Sequence, residues 1–148
     1  MTTAGSGAGC VFCDHLDADD DETAHILYRG KDVFVLLNAF PYNTGHVMIA
    51  PLRHVGGLSD LTEEERTELF RVATRATEVI GAAMAPEGFN MGLNIGAAAG
   101  AGIPGHLHVH VVPRWAGDTN FMTTIGDAKV LPEMLVQTDA KLRPGFAQ

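Results

Sequence analysis

Apolar positions along the chain follow two rhythms. In the first third they come as short runs bounded by turn formers. Residues 25–29 and 32–37, split by Gly30-Lys31, predict a hairpin of two strands. Residues 47–50, between Gly45 and Pro51, predict a third strand, reached through a loop over 38–44 that holds Pro41 and Asn43. The rhythm then becomes helical. Leu69, Val72, Ala73, Ala76, Val79, Ile80, Ala83 and Met84 recur three and four apart, with Arg66, Arg71, Arg75 and Glu78 on the other faces. Thr62 and Glu65 have the spacing of a capping box at the start of this long helix, and three consecutive acids suit the positive end of its dipole. Pro86 and Gly88 close it. Residues 89–95 and 107–113 predict two more strands, joined by a loop over 96–105, and residues 132–142 predict a short helix. The expected fold is α+β, with a largely antiparallel five-stranded sheet, one long helix and a short C-terminal helix. Residues 1–9 read as a flexible tail and residues 10–148 as a single domain.

Composition narrows the function classes. With 46% hydrophobic and 19% charged residues, a chain of 148 residues can bury a core without disulfides, and disorder is excluded. No apolar run approaches the roughly 18 residues that would cross a bilayer. The residues after Met1 are small or polar and lack the charged and apolar regions of a signal peptide, so a cytoplasmic protein is expected, with Cys10 and Cys13 reduced. A net charge of −8 excludes a broad basic surface for nucleic acid. Much of that acidity is local, in Asp14, Asp17, Asp19, Asp20, Asp21 and Glu22, which read as a solvated acidic loop.

The candidate chemistry lies in histidine, of which there are seven. His106, His108 and His110 alternate with Leu107, Val109 and Val111, so a strand would put three imidazoles on one face and three apolar side chains on the other. Two chemistries compete for such a face. The three rings can bind one metal with an open position for water, or one ring can act as a nucleophile while its neighbours act as acid or phosphate contacts. The preceding loop, 96–105, has no charged side chain and many backbone amides, which suits an anion, and Asn94 stands at its start.

The segment His106-Leu107-His108-Val109-His110-Val111-Val112 resembles the signature of the histidine triad (HIT) family. The resemblance runs over about residues 10–126. It includes the stretch from Asn38 through His46 to Pro51, the start of the helix, and Pro113-Arg114 after the triad. It implies a HIT-like fold and a nucleotide hydrolase or transferase. His108 would attack the α-phosphorus and form a nucleotidyl-histidine intermediate, flanked by His106 and His110, with His110 serving the phosphoryl oxygens or the leaving group. Asn38 would bind the ribose. Asn94 and the amides around Gly102 and Ile103 would hold phosphate, and Phe12, Val35 and Leu37 would wall the base. The family also implies a homodimer.

Within the family, the stretch from Gly88 to Gly96 and the stretch from Val111 through Trp115, Asp118 and Asn120 to Phe121 and Met122 resemble members that use inorganic phosphate to split diadenosine tetraphosphate into ATP and ADP. Dinucleoside polyphosphate hydrolysis and nucleoside phosphoramidase activity are the alternatives. A three-histidine metal hydrolase and a non-catalytic nucleotide-binding protein are readings from other classes. Where most family hydrolases carry Gln-Ser or Gln-Thr before the triad, this chain has Gly100-Ala101-Gly102-Ile103-Pro104-Gly105. Cys10 and Cys13 have the spacing of a chelate or a redox pair, and a position just after a tail disfavours the redox pair. His54 and His106 would complete a structural zinc site, as in some HIT proteins, with His15 as the rival ligand.

Overall fold

The structure is a computed structural model that describes residues 9–118 and 133–147. The expected tail lies outside the described residues except for Gly9.

Five strands form one antiparallel sheet: β1 (Ile26–Arg29), β2 (Val33–Leu37), β3 (Val47–Pro51), β4 (Gly88–Leu93) and β5 (Val109–Arg114), in the order β1-β2-β3-β5-β4. Strand parity sorts their side chains. Val33, Val35, Leu37, Val47, Ile49, Leu107, Val109 and Val111 pack with one face of helix α3 (Glu63–Met84) in the larger core. Phe34, Leu36, Met48 and Ala50 pack on the opposite side with Cys10 and Phe12. The apolar alternates of the histidine segment therefore bury against the helix, as expected.

Helix α3 begins at the anticipated capping box. Thr62 Oγ1 accepts from the Glu65 amide at 3.1 Å, and the Thr62 amide donates to Glu65 Oε1 at 2.8 Å. Leu69, Val72, Ala73, Ala76, Val79 and Ile80 are buried, whereas Ala83, in the last turn, is exposed. Glu68, buried on α3, accepts from the amides of Lys31, Asp32 and Val33, and so ties the β1–β2 turn to the helix.

Two elements differ from expectation. The acidic segment is not a loop. It forms α1 (Val11–Ala18) and α2 (Asp21–Ala24), linked by Asp19 in a left-handed conformation. Phe12 buries the inner face of α1, while the acids stay on the outer face; Asp20 caps α2 and Asp21 pairs with Arg29. The C-terminal helix α4 (Leu135–Phe146) extends four residues past its expected end and contains Pro144. It is anchored by buried Leu142 and Phe146, the latter stacked on Tyr28. A β-carbon on Gly145 would come within 2.6 Å of Val79 Cγ1, so α4 reaches α3 only because that position has no side chain.

Candidate active site

The sheet face opposite α3 carries the chemistry. Regular pairing of β5 begins only at Val109, so His106 and His108 lie just before the strand; the Leu107 amide bonds to the Val55 carbonyl at 2.7 Å. The alternation of faces survives this shift, but the three rings do not converge on one centre. Each turns Nδ1 or Nε2 to a different partner, which overturns the three-histidine metal site.

His106 is fully buried. Its Nε2–H donates to the Pro51 carbonyl at 2.7 Å, which leaves the Nδ1 lone pair facing Cys10, Cys13 and His54. Nδ1 lies 3.4 Å from Cys10 Sγ, 3.5 Å from Cys13 Sγ and 3.3 Å from His54 Nδ1, and Cys13 Sγ lies 3.5 Å from His54 Nδ1. All four ligand atoms fall within 4.8 Å of one another. A zinc tetrahedron with bonds of about 2.0 Å to nitrogen and about 2.3 Å to sulfur has edges of about 3.3 Å between nitrogens and about 3.5 Å from sulfur to nitrogen. The donor set therefore fits a metal ion. The His54 ring packs directly on Gly105, where a β-carbon would lie a tight 3.1 Å from Nε2. His15 is not in the cluster.

His108 is buried beside Phe12, with ring centroids 5.0 Å apart. Its Nδ1–H donates to the His106 carbonyl at 2.9 Å, so the Nε2 lone pair is left for chemistry. The ring lines a cavity of about 830 Å³. That cavity also brings together Phe12, Leu37, Asn38, Asn94, Gly102, Ile103 and His110, the set anticipated for a nucleotide. Val35 is not part of it, because its parity points it into the helix-side core; Leu36 takes the wall position instead. Asn38 Oδ1 accepts from the Phe40 amide at 2.8 Å, which fixes the side chain and turns its amide nitrogen outward. In the glycine-rich loop, the amides of Ala99, Gly100 and Ala101 bond to the carbonyls of Gly96 and Ala97. The amides of Gly102 and Ile103, the loop residues that line the cavity beside Gly100, are not used in these bonds.

His46, in the stretch between Asn38 and Pro51, both packs and hydrogen-bonds. It is buried, stacked on Tyr42, and bonded to His110 with Nε2 to Nδ1 at 2.8 Å. Since the Tyr42 amide donates to His46 Nδ1 at 3.2 Å, His46 Nε2 carries the proton and donates to His110. The remaining proton of a neutral His110 is then on Nε2, beside His108, whose ring centroid is 4.8 Å away. Burial, followed by the neighbouring His110 and His108, pushes the His46 pKa down to about 4. Burial and His108 also lower His110. Parity could have found His46, because it shares the face of Met48 and Ala50.

A stability consequence follows from His46. Its pKa is depressed from the ordinary 6.5, so between these values the unfolded chain binds a proton that the folded chain excludes. The contribution is complete above about pH 6.5 and falls away as the pH drops towards 4, by at most about 3 kcal/mol. Thermal melts across this range should fall more steeply for the wild type than for a His46→Gln variant; parallel curves would reject the assignment.

Beyond β5, Arg114 and Asp118 form an ion pair at 2.8 Å, and Asn43 donates to Asp118 at 2.6 Å and to the Pro113 carbonyl at 3.0 Å. These bonds pin the end of β5 to the loop after β2. Trp115, in the stretch after the triad that carries the finer resemblance, is half-buried and does not line the cavity. Asn120, Phe121 and Met122 lie outside the described residues.

The HIT domain family profile matches residues 20–117. The chain belongs to the histidine triad family. It is 48% identical over 128 residues to the AP-4-A phosphorylase of Mycobacterium tuberculosis, covering 86% of this chain and 66% of that protein, so the match spans just under two thirds of that relative's length. It is 36% identical over 95 residues to an asymmetrical bis(5'-nucleosyl)-tetraphosphatase of Schizosaccharomyces pombe, covering 64% of this chain and 52% of that protein. Among solved structures, a zinc-bound histidine triad family protein from Mycobacterium smegmatis superposes with a TM-score of 0.77 at 25% identity, over 96% of both chains. These matches agree with the HIT-like α+β fold expected from the sequence. No helix among the described residues is long and apolar enough to cross a membrane.

Proposed function

We propose that this histidine triad protein is a nucleotidyl transferase that splits diadenosine tetraphosphate with inorganic phosphate, giving ATP and ADP. The observation that carries the reading is the orientation of His108: Nδ1 is held by the His106 carbonyl, and the ring borders the cavity that Asn38, Asn94, Gly102 and Ile103 share. Nε2 attacks the α-phosphorus, an N–P bond forms, and ATP leaves. The His110 Nε2–H, fixed by His46, lies on the side of the departing oxygen and stabilises its developing charge. Inorganic phosphate then attacks the adenylyl-imidazole, the N–P bond breaks, and ADP departs. Splitting one displacement into two lowers each barrier. Asn38 holds the ribose hydroxyls, Phe12 and Leu36 pack on the base beside Leu37, and Asn94 with the Gly102 and Ile103 amides holds the phosphates.

The choice of phosphate over water rests on similarity to the mycobacterial AP-4-A phosphorylase; relatives named as tetraphosphatases keep hydrolysis as the second reading. The test incubates the protein with diadenosine tetraphosphate with and without phosphate. ATP plus ADP, formed only when phosphate is present, is the expected result. AMP plus ATP formed equally without phosphate would assign the hydrolase reading.

The four ligands Cys10, Cys13, His54 and His106 hold a structural zinc, which joins α1 to the sheet and orients His106. Two copies pair into a homodimer through β4, which is an edge strand, alongside exposed Met91 and Phe70. A cytoplasmic location fits the reduced Cys10 and Cys13 thiols that a zinc site needs.

A further inference from the structure

His25 lies between α2 and β1 with φ 56°, ψ 39°. Histidine tolerates this left-handed region better than most residues do, but a non-glycine residue held there costs stability, and such positions cluster at functional sites. The ring is pinned. Its Nδ1 is 2.9 Å from Asp139 Oδ2 on α4, and Arg143 grips the same carboxylate at 2.7 Å through each of two nitrogens. Arg143 in turn donates to the Ile26 carbonyl at 2.8 Å, so α4 and the start of β1 form one rigid unit. Burial by itself would raise the Asp139 pKa, but the bonds from Arg143 and His25 hold it below the usual carboxylate value. Asp139 is therefore an acceptor, and His25 Nδ1 must be the donor. A neutral His25 then has its lone pair on Nε2, to which no described residue bonds.

The ring lines the same cavity as the triad. His25 borders β1, and His108 borders β5, three strand spacings away in the order β1-β2-β3-β5, or about 14 Å across the sheet. Between them the Leu37 amide bonds to the His25 carbonyl at 3.0 Å, and this sets His25 beside Asn38. A nucleotide with its phosphate at His108 and its ribose at Asn38 would carry its base towards His25, over Phe12 and Leu36.

We propose that His25 reads the purine edge, its Nε2 accepting a hydrogen bond from the 6-amino group of adenine. The inference rests on the nucleotide reading of the cavity, which it deepens. Hypoxanthine and guanine present a carbonyl oxygen at that position, which would face the Nε2 lone pair. Asp139 and Arg143 are positioning residues that set the tautomer.

The test measures calorimetric affinities at about pH 8 for AMP, IMP and purine riboside 5'-monophosphate, in which hydrogen replaces the amino group. The wild type should bind AMP about tenfold more tightly than the other two. In His25→Ala and in His25→Asn, which keeps a left-handed-tolerant residue but cannot reach the base, the three affinities should converge within about twofold. Asn38→Ala should weaken all three alike and preserve the ratio. Equal affinities in the wild type, or a ratio unchanged in both His25 variants, would overturn the proposal even if turnover of dinucleoside polyphosphates is confirmed. A wild type that binds none of the three would instead overturn the nucleotide reading, and this inference with it.

Discussion

Replacing His108 with alanine should lower turnover of diadenosine tetraphosphate by about 10⁴-fold or more while leaving AMP affinity within about threefold, because the adenosine contacts proposed at Phe12, Leu36 and Asn38 would remain. The expectation rests on one hydrogen bond. With Nδ1–H committed to the His106 carbonyl, Nε2 has no proton to lose before it attacks, so no separate general base is required. His110→Ala should cost less, about 10²- to 10³-fold, since it removes assistance to the leaving group and not the covalent path. The order of these effects is diagnostic. Steady-state rates in which His110→Ala is the more damaged variant, or in which His108→Ala retains full activity, would contradict the assigned roles.

Cys13→Ser should reduce bound zinc from one ion per chain to near none and lower stability by about 4 kcal/mol or more, seen as a melting temperature lower by on the order of 10 °C. The proposed ion would bridge groups that otherwise only face one another: two thiols and two imidazole lone pairs lie 3.3–3.5 Å apart. Burial and then Cys10 push the Cys13 thiol up to about 11 when no ion holds it. Without the ion, α1 loses its covalent tether to the sheet, and with it the support that sets Phe12 against His108. Treating the wild type with a strong chelator should reproduce the melting temperature of the variant. Metal analysis showing no zinc in protein purified without chelator, together with an unaltered melt for Cys13→Ser, would reject the site.

Much of this was legible in the chain, for reasons that are local. Strands announce themselves by short apolar runs, and α3 by its capping box and its three-and-four repeat. The triad was legible because period two puts alternate residues on one face whether or not the ladder has formed, and so the late start of β5 at Val109 did no harm. The acidic segment misled because a two-turn helix needs only one buried residue per turn. Phe12 and Leu16 supply the apolar side, and the surrounding aspartates read as solvent-facing in either conformation. Val35 was misassigned as a base wall, although the alternation that put His106, His108 and His110 on one face also puts Val35 on the helix side and Leu36 towards the cavity.

The long-range pairings were not legible. Nothing in the sequence joins His46 to His110 or His25 to Asp139, 114 residues apart, because such contacts depend on sheet order and on where α4 docks. The zinc ligands are intermediate. Cys10 and Cys13 advertise themselves by spacing, but choosing His54 over His15 requires the return of the chain after β3 to the start of the triad.

The most direct test of the covalent account is to mix the protein with diadenosine tetraphosphate in phosphate-free buffer, quench rapidly in alkali, which preserves phosphoramidate bonds, and map the digest by mass spectrometry. The account predicts one adenylyl group on the peptide bearing His108, discharged as ADP when phosphate is added before the quench. Rapid turnover with no adenylyl-peptide at any time point, or with the group on another residue, would contradict it.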